Sequence, residues 1–339
     1  MIPSKVYQRI LFSLITLTSI TFFSCKEKTS NVPYIKNEGL VFGTEYHITY
    51  QSSKDLQAGI TKKLQEIDNS LSTFNPHSTL SLINQNKTKK LDAKTEQVIQ
   101  QALEVSKHTN GAFDITVAPL VNAWGFGFKN NGKITKEQLD SIQQFVGYEK
   151  ISIQNHCLHK KSPAIILDCS AIAKGFACDA IAQYLKKQGI QNFIIEIGGE
   201  IFAHGVNPSQ QKWNIGISQP QDDSTGIHVS KTFSVIKITD MGMATSGNYR
   251  NYYYKDGHKY AHIIDPHKGY PIQHSLISAT VIAPTCTEAD AYATAFMVLG
   301  LEKAQKILER QKYLKAYFIY TTPDGKLSTW YTANLKDNI

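Results

Sequence analysis

The chain has 339 residues, 42% of them hydrophobic, and 36 Lys and Arg against 28 Asp and Glu give a formal net charge of +8. That length supports a large core and excludes a disulfide-stapled miniature fold; because the lysines are scattered, the positive balance does not mark a nucleic-acid surface. Among the cysteines, Cys157, Cys169, Cys178 and Cys286 form no CxxC or metal-type pair. Cys169 and Cys178 lie inside apolar stretches, so buried thiols are expected rather than bridges.

Lys5 and Arg9 precede an apolar run over residues 10–23 that is too short and too rich in Ser and Thr for a transmembrane helix. It ends FFSC, the pattern of a lipoprotein leader, with Cys25 as the acylated residue. The expectation is that residues 1–24 are removed and residues 25–39 tether the protein. It would then be lipid-anchored on the extracytoplasmic side of a bacterial cell membrane, without spanning it.

The catalytic-size domain is expected over residues 40–336. Residues 40–51 alternate as a half-buried strand with a glycine near its start. A helix follows over 56–71, then Asn75-Pro76 marks a turn and Ser78 an N-cap. A second amphipathic helix, 93–109, ends at Asn110-Gly111 and opens into AFDITVAPLVNAWGFG, where Asp114 sits among apolar neighbours and needs hydrogen-bond partners. A short polar helix over 135–145 and strands over 150–159 come next.

AIILD (164–168) has the apolar, β-branched character of a buried parallel strand. Ser170 stands at an N-cap position, apolar residues recur at helical spacing from Ala173 to Leu185, and Gly189 stops the helix. NFIIEI then ends at Gly198-Gly199. The pattern predicts a central βαβ crossover, which would bring Asp168, Lys174, Gly198 and Gly199 to one ligand-binding sheet edge. A turn-capping Asp168 with glycines that only permit packing fits the same residues.

Further on, 204–220 reads as a strand pair with a loop, and 234–239 as a strand. Asp256-Gly257 signals a hairpin between aromatic strands, the second of which delivers His262 and Asp265 to a Pro266–Pro271 turn. The chain closes with strand 278–284, helices 286–300 and 301–311, and two strands joined at Pro323-Asp324-Gly325.

Three features carry chemistry. Asp290 and Thr294, spaced i, i+4, put a carboxylate and a hydroxyl on one helix face, a hard-oxygen pair that suits Mg²⁺ and not Zn²⁺. His262 at a strand end suits a base or a phosphate contact. ATSGNYR (244–250) is a Ser/Gly/Asn turn beside Arg250 that suits a phosphate or ribose. Together they point to a phosphate-bearing nucleotide ligand.

The sequence resembles the ApbE family, the FAD:protein FMN transferases. The resemblance rests on ordered motifs: FGTEYHI, LSTFNPHSTLSLIN, TNGAFDITVAPLVNAWGFG, LDCSAIAKGFACD, EIGGEI, MATSGNYR, HIIDPHKGYPI and EADAYATAFMVLG. The alternation of helices and strands with several aromatic hairpins predicts an α+β fold, one domain with mixed sheets around the βαβ unit and room for two lobes with FAD between them. The resemblance implies an enzyme that moves the FMN half of FAD onto a Ser or Thr hydroxyl of a target protein through a phosphoester bond, releasing AMP with Mg²⁺. Acceptor flavoproteins such as electron-transport complex subunits would be the partners.

Carried over residue by residue, the resemblance makes Asp290, Thr294 and the Ala171 carbonyl the metal ligands. It makes Phe42, Phe74, Ala112, Phe113, Asp114, Asp168, Lys174 and Ile264 the FAD contacts, and His262 the catalytic group that activates the acceptor hydroxyl. Phe74 or Phe126 would supply an aromatic face for the isoalloxazine. Lys268 stands where the family turn often has Thr, and Ala293 where some members carry a further acid. A Mg²⁺-dependent FAD pyrophosphatase and a non-catalytic flavin-binding lipoprotein are the competing readings.

Overall fold

The structure, a computed structural model, describes residues 32–126, 134–220, 232–248, 252–255 and 258–339. The leader, Cys25, Arg250 and the Asp256-Gly257 turn lie outside the described residues. The fold opens with a hairpin, β1 (Tyr34–Val41) and β2 (Thr44–Gln51), in place of the single strand expected over 40–51. Phe42 and Gly43 bridge the two strands with φ of 52° and 73°, the left-handed pair that a two-residue turn requires. Phe rarely occupies that region, which is why alternation hid the turn. The hairpin also draws residues 34–39, counted above with the tether, into the domain.

Helices α1 (Gln57–Leu71), α2 (Thr79–Asn84) and α3 (Ala93–His108) follow closely on their expected positions. The Ser78 hydroxyl accepts the Ser81 amide at 3.0 Å, and Asp92 accepts the amides of Lys94 and Thr95 at 2.9 Å, so orphan N–H groups at both N-termini are satisfied. Two short helices, α4 (Ala118–Ala123) and α5 (Lys136–Gln143, with a Thr135/Gln138 capping box), lead to the ladder of β3 (Ile151–Gln154) and β4 (Cys157–Lys160).

The central unit is α6 (Ser170–Lys187) followed by β5 (Phe193–Ile197) and β6 (Glu200–His204), and it is not a βαβ crossover. Residues 165–169 join no ladder. Asn84 instead accepts the Leu167 amide and donates to the Leu167 carbonyl, both at 2.8 Å, while the Asp168 amide donates to the Ile115 carbonyl at 2.7 Å. With their backbone groups satisfied by a side chain and a turn, these apolar residues are buried without a strand partner. β5 pairs antiparallel with both β2 and β6, and Gly198 and Gly199, at φ 60° and 100°, form the tight turn between β5 and β6.

Next come β7 (Trp213–Ser218), β8 (Thr232–Ile238), β9 (Met241–Gly247), and the antiparallel pair β10 (Tyr252–Lys255) and β11 (His258–Ala261). The chain ends with β12 (Leu276–Ala283), α7 (Cys286–Leu299), α8 (Leu301–Arg310), β13 (Lys315–Thr321) and β14 (Leu327–Tyr331). Eight strands form one sheet in the order β1-β2-β5-β6-β9-β12-β13-β14, and every neighbouring pair is antiparallel.

Period-two alternation divides this sheet into two faces. Phe193, Ile195, Ala279 and Val281 point into the main core with α6 and α7, where each buried Ile or Phe contributes roughly 1.5–3 kcal/mol. Ile201, Ala203, Ile282 and Ile319 point to the other face and pack under Trp213, Ile215 and Ile236 of the β7–β8 ladder. A third cluster joins Leu120, Leu139, Val146 and Ile264. Tyr34–Ile339 is one compact unit, so the division into two lobes is not found. The fold is α+β.

Candidate active site

Helices α6 and α7 are bound by an exchange of carboxylates. Asp179 of α6 accepts the Cys286 and Thr287 amides, each at 2.8 Å, at the N-terminus of α7. One turn earlier on α6, the Gly175 amide donates to Asp290 Oδ2 of α7 at 3.0 Å. The approach is close because glycine permits it. A Cβ on Gly175 would stand 2.3 Å from the Cys286 carbonyl oxygen, and one on Gly242 of β9 would stand 2.2 Å from the Cys286 nitrogen.

A distortion at the start of α6 accompanies this clasp. In a regular helix the Gly175 amide donates to the Ala171 carbonyl, four residues back. Here it donates to Asp290, and Ala171 departs from helical torsions (φ −89°, ψ 15°). The expected cap at Ser170 is also revised: Asp168 Oδ1 accepts the Ser170 amide at 2.8 Å, so the carboxylate itself caps the first turn.

A cavity of about 510 Å³ opens at this point, within the range of small-molecule sites. Asp290, Thr294 and Ala171 line it together, as do Asp168, Lys174, Ala112, Phe113, Asp114, Phe74, Ile264 and His262. Residues from five segments far apart in sequence thus line one cavity. Phe42 does not join them: it sits half-buried in the β1–β2 turn against the main core. Phe126 lines the cavity and its ring lies edge-on to His262, with centroids 6.4 Å apart. Phe74 is 81% exposed at the rim.

Glu200 was not anticipated. It is the first residue of β6, is 4% exposed, lines the cavity, and pairs with the Lys174 ammonium. Thr245, Ser246 and Gly247, expected in a turn, instead form the end of strand β9, paired with β12, and also line the cavity.

The carboxyl groups here are poised by burial. Desolvation and then the Asp290 charge push Glu200 up, while Lys174 opposes them. Burial likewise raises Asp290, against the Lys174 charge and the Gly175 amide. Burial pulls the Lys174 ammonium down, but Glu200 and Asp290 outweigh it and hold the group above its ordinary value. Asp114 and Asp168 are also raised by burial, although Asp114 Oδ1 accepts the Thr116 amide and hydroxyl at 2.8 and 2.6 Å. Burial thus disfavours the charged form of each of these carboxyl groups.

Asp290, Thr294 and the Ala171 carbonyl offer only hard oxygen donors, which fits Mg²⁺ and not a thiophilic ion. Among the described residues no group of three or more His, Cys, Asp and Glu forms a metal cage. A small protein share of that kind is what Mg²⁺ takes when substrate phosphates complete its shell. Ala293 is buried in the main core and does not line the cavity.

The cavity combines a buried carboxylate, a half-buried hydroxyl, an ammonium, an aromatic rim and an imidazole, a set of groups suited to a phosphorylated aromatic ligand. The chain belongs to the ApbE family, whose model matches residues 42–318. It is 36% identical over 323 residues to the FAD:protein FMN transferase of Vibrio cholerae, covering 92% of this chain and 94% of that one. It is 37% identical over 324 residues to the FAD:protein FMN transferase of Haemophilus influenzae, covering 91% of each. Among solved structures it is similar to the flavin transferase ApbE from Vibrio cholerae, with a TM-score of 0.82 and 34% identity over 91% of this chain and all of that one. The apo form of the Pseudomonas stutzeri flavinyl transferase ApbE matches with a TM-score of 0.80 and 30% identity, over 91% and 97% of the two chains.

Proposed function

We propose that this chain is an FAD:protein FMN transferase that uses Mg²⁺. The acceptor Oγ of a Ser or Thr forms a bond to the phosphorus on the riboflavin side of the FAD pyrophosphate. The bridging P–O bond breaks, its electron pair leaves with AMP, and the hydroxyl proton passes to His262. The observation that carries this reading is the convergence of His262 with the Asp290–Thr294 pair on one cavity, although the chain separates them by more than a helical turn and a whole strand.

The residues divide the work. A Mg²⁺ ion on Asp290, Thr294 and the Ala171 carbonyl would supply charge neutralisation at the pyrophosphate. Lys174 and the Thr245–Gly247 segment bind phosphate or ribose oxygens, and Phe74 and Phe126 offer faces to the isoalloxazine. The apolar wall of Phe113, Ile264 and Val121 excludes water from the reacting phosphorus.

The N-terminal pattern supports attachment to the extracytoplasmic face of a bacterial cell membrane through acylated Cys25. Acceptors are then proteins or domains on that side of the membrane, electron-transport subunits among them. Among the described residues no helix is long and apolar enough to cross a membrane.

The test is AMP release from FAD and Mg²⁺ with and without an acceptor domain. Release that requires the acceptor and matches its modification one-to-one supports transfer. Steady release of FMN and AMP without acceptor would instead identify a pyrophosphatase.

A further inference from the structure

Two consecutive residues of α6 address two different carboxylates. The Lys174 ammonium goes to Glu200 of β6, and the Gly175 amide goes to Asp290 of α7. Lys174 also lies near enough to Asp290 for their charges to interact. One ammonium therefore stands between two carboxylates, and both are almost fully buried, with Glu200 4% and Asp290 5% exposed. An ammonium that closed on Asp290 would neutralise the one carboxylate that α7 offers to a cation.

The fold holds Lys174 on the Glu200 side. Its aliphatic stem runs past Gly198, where a Cβ would stand 3.3 Å from Lys174 Cδ. One turn further along α6, the Cys178 thiol donates to the Glu200 backbone carbonyl at 3.3 Å. Glu200 is thus tied to α6 through both its backbone and its side chain. The Gly198-Gly199 turn, with positive φ at both residues, sets the start of β6 where the carboxylate meets the ammonium.

We propose that Glu200 is a positioning residue: its carboxylate anchors the Lys174 ammonium away from Asp290 and so keeps Asp290 open to a divalent cation. This rests on the assignment of Asp290 as a cation ligand. Removing the charge of Glu200 while keeping its shape releases Lys174, which then competes with the cation for Asp290. With Lys174 also removed, nothing is left to compete, and the state of residue 200 no longer matters to the cation.

The experiment titrates Mn²⁺, without FAD, into the full chain and reads free Mn²⁺ by electron paramagnetic resonance. The expected result is that Glu200→Gln weakens Mn²⁺ binding by about tenfold, the equivalent of one unfavourable charge contact. Glu200→Asp recovers part of the loss. Lys174→Met alone binds at least as tightly as wild type, and Glu200→Gln adds no loss in the Lys174→Met background. Unchanged Mn²⁺ binding by a folded Glu200→Gln variant, or losses that add in the double variant, would overturn the proposal while leaving the cation site in place. Wild-type binding that Asp290→Ala leaves intact would overturn the cation assignment, and the proposal with it.

Discussion

Asp290 Oδ2 accepts the amide of Gly175 at 3.0 Å, so a carboxylate of one helix intrudes on the backbone ladder of another. The contact fixes Asp290 at the cavity wall and coincides with the non-helical torsions of Ala171. Structure and chemistry meet in this one hydrogen bond. It implies that Asp290→Asn, which keeps an oxygen acceptor for the amide, leaves the thermal midpoint within a few degrees of wild type. FMN transfer should nevertheless fall by about 100-fold or more, because the charge aimed at the cation is gone. Parallel melting curves and transfer rates check both halves.

Gly175→Ala asks whether the close approach of α6 and α7 matters. Its Cβ would meet the Cys286 carbonyl oxygen at 2.3 Å and carbon at 2.7 Å, both backbone atoms that no rotamer change can move. A loss of about 2–3 kcal/mol in denaturant unfolding is expected, together with weaker Mn²⁺ binding as Asp290 shifts. Unfolding at wild-type denaturant concentration would show that the helices have slack.

Asp179 gives a pH signature. Burial pushes its carboxyl from the ordinary 3.8 up to about 6, despite the amides and hydroxyl it accepts from Cys286 and Thr287. A folded value above the unfolded one means that the native state holds the proton more tightly. The stability this contributes is full below pH 3.8 and is lost as pH rises through about 6. The unfolding free energy of wild type minus that of Asp179→Asn should therefore fall by about 3 kcal/mol between pH 3.5 and 7. A flat difference would refute the shift.

Phe74 separates binding from folding. It is 81% exposed on the cavity rim. Phe74→Ala is expected to alter stability by no more than about 0.5 kcal/mol while weakening FAD binding by about fivefold, as loss of one aromatic face implies. Flavin fluorescence titration reads the second effect and chemical denaturation the first.

Much of this was legible in the residues. The i, i+4 spacing placed Asp290 and Thr294 on one face, and Ser78, Gly198-Gly199 and most helix limits followed from local rules. What local rules could not supply was pairing over distance. Residues 165–168 carry the β-branched character of a buried strand, yet their hydrogen bonds go to Asn84 and Ile115, and no periodicity encodes those partners. Glu200 opens an apolar strand, and only the fold brings Lys174 to it across 26 positions. The motif EIGGEI held the signal: an acid directly after a glycine turn, followed in its strand by the buried Ile201, Phe202 and Ala203. Phe42, carried into the site by its motif, stands in the β1–β2 turn and is not among the residues lining the cavity.

The most direct measurement of the central claim is the intact mass of an acceptor domain after incubation with this chain, FAD and Mg²⁺. A single FMN adduct on a Ser or Thr is expected with wild type, and none above background with Asp290→Ala or His262→Ala. An adduct undiminished in those variants, or none with wild type on any acceptor domain, would contradict the claim.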